Sequence, residues 1–489
     1  MPPTAPGTPG IAFPRIPSLR SPAALAAHLR AIGADLPVAD PFDPEPLTRP
    51  LTVAGRTIPN RFCVQPMEGW DGGTDGTPSD LTLRRWQRFG QGGAGLVWGG
   101  EAVAVRPDGR ANPNQLCLTP QTQSGIAGLL TALRRSRAAT GAPQPLVGLQ
   151  LTHSGRYCRP HVKDRLEPRL AYHHPILDRR AGVEPTDDAA VFTDGELDDL
   201  LGDFARAARR AAEAGFDFVD IKHCHGYLLH ELLSAHTRPG RYGGDFEGRT
   251  RFLREAVAAI RRDAPDLLLG VRLSAFDLIP FRPGPTGTGE PEPWEGPYPF
   301  AFGVNPDRPT EPDLTEPRRF LGLLRDCGVK LVNLTGGSPY YNPHIQRPAQ
   351  FPPSDGYLPP EDPLRGVARL LGATRDLRPA AAGLIVVGTG YSYLQEYLPH
   401  VASGAVAAGW TDIVGLGRMA LAYPEFVAEA LAGRTPDRRR LCRTFSDCTT
   451  GPRHGMVSGC YPLDPHYRDS EGWVRLQAIK RAAAGVGGG

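Results

Sequence analysis

Residues 384–418 read LIVVGTGYSYLQEYLPHVASGAVAAGWTDIVGLGR, two short apolar runs separated by a stretch of helical composition. The first run, Leu384–Gly390, ends in Gly388-Thr389-Gly390. The second, Asp412–Gly417, ends in Gly415-Leu416-Gly417 and is followed by Arg418. Apolar runs of this length, bounded by glycines, suit strands buried on both faces. Between them a short helix is predicted near Leu394–Val401, and Gly409 sits where a helix should stop before the next strand. Strand, helix and strand in succession point to parallel pairing.

The same alternation extends back to about Asp43. Six earlier runs read as strands: Arg61–Gln65, Gly95–Gly100, Leu146–His153, Asp217–His223, Leu267–Ser274 and Leu331–Gly337. Helical periodicity fills the gaps, over Leu81–Gln91, Ile126–Ala139, Gly195–Ala214, Arg249–Arg262, Pro317–Cys327 and Leu364–Arg375, and recurs at Pro424–Leu431. Thr193 with Glu196 is a capping-box start. Eight strands, each followed by a helix or a long loop, predict an α/β fold of the closed (β/α)8 TIM-barrel type. The alternative is an open doubly wound sheet. No Gly-x-Gly-x-x-Gly follows the first strand, which disfavours its dinucleotide-binding form. On this reading residues 1–42 are a Pro-rich N-terminal arm lying on the surface, with a small amphipathic patch (Leu25, Leu29, Ile32). Residues 43–435 form the barrel, and 436–489 a C-terminal extension with a flexible tail. Long loops at 154–192, 275–316 and 338–363 leave the C-terminal ends of strands and read as lids or structureless segments.

Composition excludes several function classes. The 55 basic residues nearly balance the 52 acidic ones, for a net +3 over 489 residues. This is neither a strongly basic nucleic-acid binder nor a chain with an acidic disordered tail. Eight cysteines are too sparse for a disulfide scaffold and suit a reducing compartment. Residues 1–40 lack a secretory layout, and no apolar stretch is long enough to span a membrane. The expectation is a cytoplasmic protein with a small-molecule substrate, no membrane partner and no nucleic acid; a homo-oligomer is left open. Only Lys163, Lys222, Lys330 and Lys480 are lysines, leaving 51 arginines. In so arginine-biased a chain, a retained lysine marks a place where a compact, titratable charge could matter.

Two places carry chemistry by position. After the fourth strand comes Lys222-His223-Cys224-His225-Gly226-Tyr227. Neighbouring residues on a strand face opposite ways, so His223, Cys224 and His225 cannot easily share an ion, and no metal is expected. The plainer reading is histidines satisfied at a strand end. At the seventh and eighth strands, Gly388, Gly390 and Gly417 would let a phosphate approach backbone N–H groups, with Arg418 adding a bidentate charge. The same glycines also suit tight turns.

Ordered matches make this chain resemble the Old Yellow Enzyme family of FMN-dependent NAD(P)H:flavin oxidoreductases over residues 43–432. They include Asn60-Arg61, Pro66-Met67, Gly93-x-Gly95-Leu96, Glu101-Ala102, Gln150-Leu151-x-His153-x-Gly155-Arg156 and Ala214-Gly215-Phe216-Asp217. They continue through His225-Gly226-Tyr227-Leu228, Arg238 with Tyr242-Gly243-Gly244, Glu247-x-Arg249, Val271-Arg272 and Gly417-Arg418. The resemblance implies FMN as cofactor and NADH or NADPH as reductant. It places Pro66, Met67 and Ala102 along the flavin, Gln150 at its pyrimidine edge and Arg272 near N1 and O2. Gly388, Gly390, Gly417 and Arg418 would hold the phosphate. It further implies reduction of an activated, α,β-unsaturated C=C bond by hydride from flavin N5, with Tyr227 protonating the α-carbon.

Two departures stand out. The family clamps the substrate oxygen with a His three residues before a second His or Asn; here His225 holds the second place and Lys222 the first. An ammonium would stabilise a developing enolate strongly, or favour a carboxylate-bearing substrate; alternatively Lys222 pairs with Asp220 or Glu101 and touches no ligand. Secondly, relatives in the dienoyl-CoA reductase and trimethylamine dehydrogenase branch carry four cysteines for a [4Fe–4S] cluster and a second nucleotide-binding module. Here only Cys442, Cys448 and Cys460 remain, Phe445 stands at the expected second cysteine, and the chain stops short of the module. Three thiolates do not complete such a cluster, although His454 or Asp447 could substitute. Two rival functions stay open: amine or alcohol oxidation on the same barrel, with Trp70, Tyr340 and Tyr341 as a cation cage, or a binding subunit without turnover.

Overall fold

Eight parallel strands close on themselves in the computed structural model of the chain, which describes residues 13–486. They are β1 (Phe62–Val64), β2 (Leu96–Val97), β3 (Leu146–Thr152), β4 (Phe218–Ile221), β5 (Leu268–Ser274), β6 (Leu331–Thr335), β7 (Ile385–Gly388) and β8 (Ile413–Leu416). Each pairs in parallel with the next, and β8 returns to β1 through Val414↔Phe62 and Leu416↔Val64. That closing pair excludes the open sheet. β2 is interrupted at Gly99 and Gly100, whose φ of 144° and 53° turn the chain, and Ala102–Ala104 then resumes pairing with β3.

Helices α1 (Asp80–Gln91), α2 (Gln123–Ala138), α3 (Asp194–Glu213), α4 (Arg251–Asp263), α5 (Thr315–Asp326), α6 (Pro363–Leu377), α7 (Leu398–Ala407) and α8 (Phe426–Leu431) follow the strands in order. Thr193 caps α3 in the expected capping box, and Ser79 with Thr82 forms a second one on α1. The helix predicted near Leu394–Val401 begins later. Pro399 suits a first turn, and Gln395, at φ 51°, breaks the preceding 3-10 segment Tyr391–Tyr397.

Alternation along the strands builds two cores. Phe62, Val64, Val219, Val332, Val386 and Val414 face the helices. Cys63, Leu96, Phe218, Leu331, Val387 and Ile413 face the lumen, with Trp98, and a hairpin (Leu51–Val53 and Arg56–Ile58) plugs its lower end with Val53 and Ile58. The lumen is filled to contact: a Cβ on Gly148 would lie 2.3 Å from the Phe218 ring.

The loop 275–316 is not the structureless segment expected from its Pro and Gly content. It folds into two hairpins, Phe281–Pro283 with Gly289–Pro291 and Val304–Asn305 with Arg308–Pro312. Near the N-terminus, helix Pro22–Ala31 buries Leu25 and Leu29 in the outer core, so this part of the arm packs into the body of the molecule. Among the described residues no helix is long and apolar enough to cross a membrane.

Candidate active site

Strand parity that fills the lumen below also assembles the site above it. Two residues beyond the inward Cys63, Phe218 and Leu331 come Gln65, Asp220 and Asn333. Four beyond the inward-facing Leu146 and Leu268 come Gln150 and Arg272. These form a buried polar layer. Asp220 accepts from Trp98 Nε1 at 2.7 Å, Gln150 Nε2 at 2.5 Å and the Arg272 backbone N–H at 2.7 Å. Burial nevertheless lifts its carboxyl to about 6. With its amide nitrogen held by Asp220, Gln150 has its carbonyl oxygen left for a donor in the cavity above. Gln65 and Asn333 satisfy each other at 2.6 and 3.2 Å.

Above this layer opens a cavity of about 640 Å³, within the range of small-molecule sites. Pro66, Met67, Ala102, Gln150, Lys222, His225, Tyr227, Arg272, Gly390, Gly417 and Arg418 all line it, so the fold brings eleven of the twelve sequence candidates together. Gly388 is the exception: it does not line the cavity, and its N–H is spent on Thr411 Oγ1 at 3.0 Å. Thr389 and Ser392 line the cavity beside it instead.

The residues fit a flavin mononucleotide. Arg272 Nε, Thr389 Oγ1 and Arg418 Nη1 are buried without a hydrogen-bond partner among the described residues. Such groups cost roughly 1–3 kcal/mol each when unpaired, which a polar ligand would recover. An added Cβ at Gly417 would meet nothing nearer than Met67 Sδ at 3.8 Å, so open space lies over this backbone next to Arg418. Gly390, at φ 107°, makes the turn that a side chain would strain.

Tyr227 stands at the start of the short helix Leu228–Leu233. Its hydroxyl donates to Glu68 Oε2 at 2.6 Å and shares a hydrogen bond with Tyr340 Oη at 2.8 Å, and Tyr340 stacks on Tyr157 at 3.8 Å. Burial, then Glu68 and Tyr340, push the Tyr227 phenol well above its ordinary range, so it keeps its proton. The helix is anchored through Glu231, which accepts from Arg156 Nε at 2.5 Å; Arg156 also pairs with Asp178.

Lys222 is 4% exposed, and its Nζ lies 3.7 Å from the Tyr227 ring centroid. The pairing with Asp220 or Glu101 is not made: Asp220 is saturated by three other donors, and Glu101 binds Arg85. Among the described residues Lys222 makes no ion pair, and desolvation lowers its pKa from the usual lysine value. His225 reaches the cavity by a left-handed backbone turn, φ 68°, and its Nε2 lies 3.2 Å from the Gln346 amide nitrogen. Burial, then Arg272 and Lys222, hold its imidazole neutral at neutral pH. His223 faces away, with Nδ1 2.7 Å from Ile221 O and its ring near Phe320.

Several site residues were not found by sequence reasoning. Glu68 was passed over, although it follows directly on Pro66-Met67. The C-terminal extension supplies cavity wall through Cys448, Thr449, Arg453 and Ser458, tied down by Ser446 Oγ to Phe351 O at 2.6 Å and Trp70 N to Ser458 Oγ at 2.9 Å. No signal in the extension betrayed this. The three cysteines do not fit a four-thiolate cluster. Phe445, where the missing cysteine would stand, is 38% exposed and packs near Phe351; Asp447 is bound to Lys480 at 2.8 Å and His454 to Ser354 at 3.0 Å. The aromatic cage is also incomplete: Trp70 and Tyr340 line the cavity, whereas Tyr341 turns its hydroxyl to Asp277 at 2.6 Å.

Residues 46–286 match the NADH:flavin oxidoreductase / NADH oxidase family. An NADH:flavin oxidoreductase of Gibberella zeae is 32% identical over 251 residues, 47% of this chain and 57% of that protein. An NADH oxidase of Thermoanaerobacter brockii is 24% identical over 455 residues, 89% of this chain and 59% of that protein. The chain thus spans less than two thirds of the length of these relatives. Morphinone reductase in complex with tetrahydroNAD shares the fold at a TM-score of 0.54 and 21% identity, covering 81% of this chain and 93% of that one.

Proposed function

We propose that this chain, which resembles the NADH:flavin oxidoreductases of the Old Yellow Enzyme family, is a flavin-barrel oxidoreductase that uses FMN and NAD(P)H to reduce an activated C=C bond. The observation that carries this reading is the triad at one wall of the cavity. A protonated Tyr227, a Lys222 amine 3.7 Å from its ring and a neutral His225 meet above the Gln150–Asp220–Arg272 layer.

FMN, when bound, supplies a two-electron carrier between the nicotinamide and the substrate carbon. Gln150 and Arg272 would meet its ring, and Arg418 with the Gly390 and Gly417 backbone its phosphate. A substrate carbonyl lodged at Lys222 and His225 meets an N–H donor from each, and these stabilise the negative charge that develops on the oxygen. Tyr227 has one proton, donated at rest to Glu68. Rotating that O–H into the cavity delivers it to the α-carbon, while Tyr340 can donate to the phenolic oxygen left behind. Lys222 over the same ring further stabilises the anion formed.

The decisive experiment is anaerobic. Purified protein reconstituted with FMN should be bleached by NADH or NADPH and recoloured by 2-cyclohexenone. Bleaching by simple amines with no response to NAD(P)H would replace this reading with the oxidative one, and failure to retain flavin would leave a binding subunit.

A further inference from the structure

Beyond the reacting bond, the cavity wall is charged in a way the reduction of a small neutral enone does not use. Arg159, Arg347 and Arg453 line the cavity on the side of Tyr340, drawn respectively from the loops after β3 and β6 and from the C-terminal extension. Among the described residues Arg159 makes one side-chain hydrogen bond, to Lys163 O at 3.0 Å, and its buried Nε has no partner. Arg347 donates Nη1 to Thr449 Oγ1, and its buried Nη2 has no partner among the described residues. Of the three, Arg453 alone pairs with a carboxylate among the described residues, Asp355.

Three guanidinium groups and Lys222 therefore share the cavity with two carboxylates beside them, Asp355 on Arg453 and Glu68 near Lys222, so basic side chains outnumber acidic ones by four to two. The remaining lining acid, Glu292, is taken up by Arg180 at 2.5 Å, while among the described residues Glu68 accepts only from the neutral Tyr227 hydroxyl and Asn112. Burial lowers Arg347 to about 10, with Arg418 adding to the effect; burial also lowers Arg453 to about 10, with Arg347 and Arg159 contributing. These cations strain one another. Desolvated like charges are held this way where an anion completes the set.

We infer that the substrate is an activated alkene carrying a remote anionic group, carboxylate or phosphate, which Arg159, Arg347 and Arg453 grip while the carbonyl rests on Lys222 and His225. The inference rests on the proposed function and sharpens its substrate class. A planar fork of N–H donors matches either oxyanion bidentately. The same wall repels an amine substrate, and Trp70 beneath Arg159, at 5.8 Å from its ring centroid, gives the substrate body an apolar face.

The test uses the FMN-loaded enzyme with a series of cyclohexenones bearing a carboxylate tail of graded length, the matching methyl esters and the phosphate counterparts. The readout is kcat/KM of the acid divided by that of its ester. The wild type should favour one tail length at least tenfold, and R347Q and R159Q should bring that ratio towards one. Carboxylate and phosphate tails distinguish the two sources of the anion. An acid-to-ester ratio near one at every length in the wild type overturns the inference. So does a variant effect confined to NADPH against NADH, which would assign the wall to the reductant's extra phosphate. Loss of FMN from R347Q would assign that arginine to the cofactor and equally overturn it. If no enone is reduced, the proposed function fails separately. The wall is then tested by flavin spectral titration with the saturated acid and ester, where equal affinity refutes it.

Discussion

Replacing Tyr227 by Phe removes one oxygen and keeps the ring beneath Lys222. In structural terms the loss is local. Glu68 gives up its 2.6 Å donor but retains Asn112 Nδ2 at 3.4 Å and access to the cavity, while Tyr340 keeps its 3.8 Å stack on Tyr157. The stability cost should stay near that of one unpaired polar group, about 1–3 kcal/mol. The catalytic cost is larger. A positioned acid contributes roughly 10²–10⁴-fold, so the barrier to alkene reduction should rise by about 3–5 kcal/mol. The assay is anaerobic stopped flow on each half-reaction by itself. Flavin bleaching by NAD(P)H should proceed at nearly the wild-type rate, because that step needs no proton at the substrate carbon. Recolouring by 2-cyclohexenone should slow by at least a hundredfold. Equal slowing of both half-reactions would refute the acid role and assign Tyr227 to packing. An unchanged recolouring rate would show that the proton comes from water.

Other expectations follow from the same geometry. Arg156→Met leaves Glu231 and Asp178 buried without their cation, which should cost about 3–5 kcal/mol in a denaturant titration and loosen the helix that Tyr227 begins. Gly417→Leu has room for its Cβ and no positive φ to strain, so apoprotein melting should be unchanged while bound FMN, read by absorbance, falls sharply. The buried histidines should favour unfolding on acidification, against the opposite contribution of Asp220, Glu101 and Asp277, whose carboxyls burial raises to about 6, 7 and 7. Burial depresses His153, His230 and His344 to about 3 and His223 to about 4. Between about 6.5 and those values the unfolded chain binds protons that the folded chain refuses. Each group therefore removes up to about 1.4 kcal/mol per pH unit as pH drops. The check is residue by residue: imidazole proton resonances of these four histidines that titrate near 6.5 in the folded protein would contradict this burial.

The barrel was legible because its eight strands obey one local rule. An apolar run between turn residues must be buried on both faces, and eight of them alternating with helices leave closure as the economical solution. The part played by the C-terminal extension was not legible. It depends on where the chain returns after β8, and Ser446, Thr449 and Ser458 look like any polar loop until Phe351, Arg347 and Trp70 are beside them.

The linear order of residues by itself determined the parity of the inward-facing side chains. Phe218, Asp220 and Lys222 are two apart, so whichever face buries the first must carry the others up the same wall. The same parity carries Gln150 and Arg272 up their own strands, although it was the family resemblance that singled those two residues out. Three-dimensional folding decided the rest. Parity says nothing of His225, because the left-handed turn at φ 68° breaks the strand rule and swings it into the cavity. Nor could spacing show whether Lys222 finds a carboxylate. That answer lies with Trp98, Gln150 and the Arg272 backbone, which take up Asp220, and with Arg85, which takes up Glu101. Local periodicity fixes which way a side chain points. Its partners are set by long-range packing, and here that packing leaves a buried ammonium free to meet a substrate.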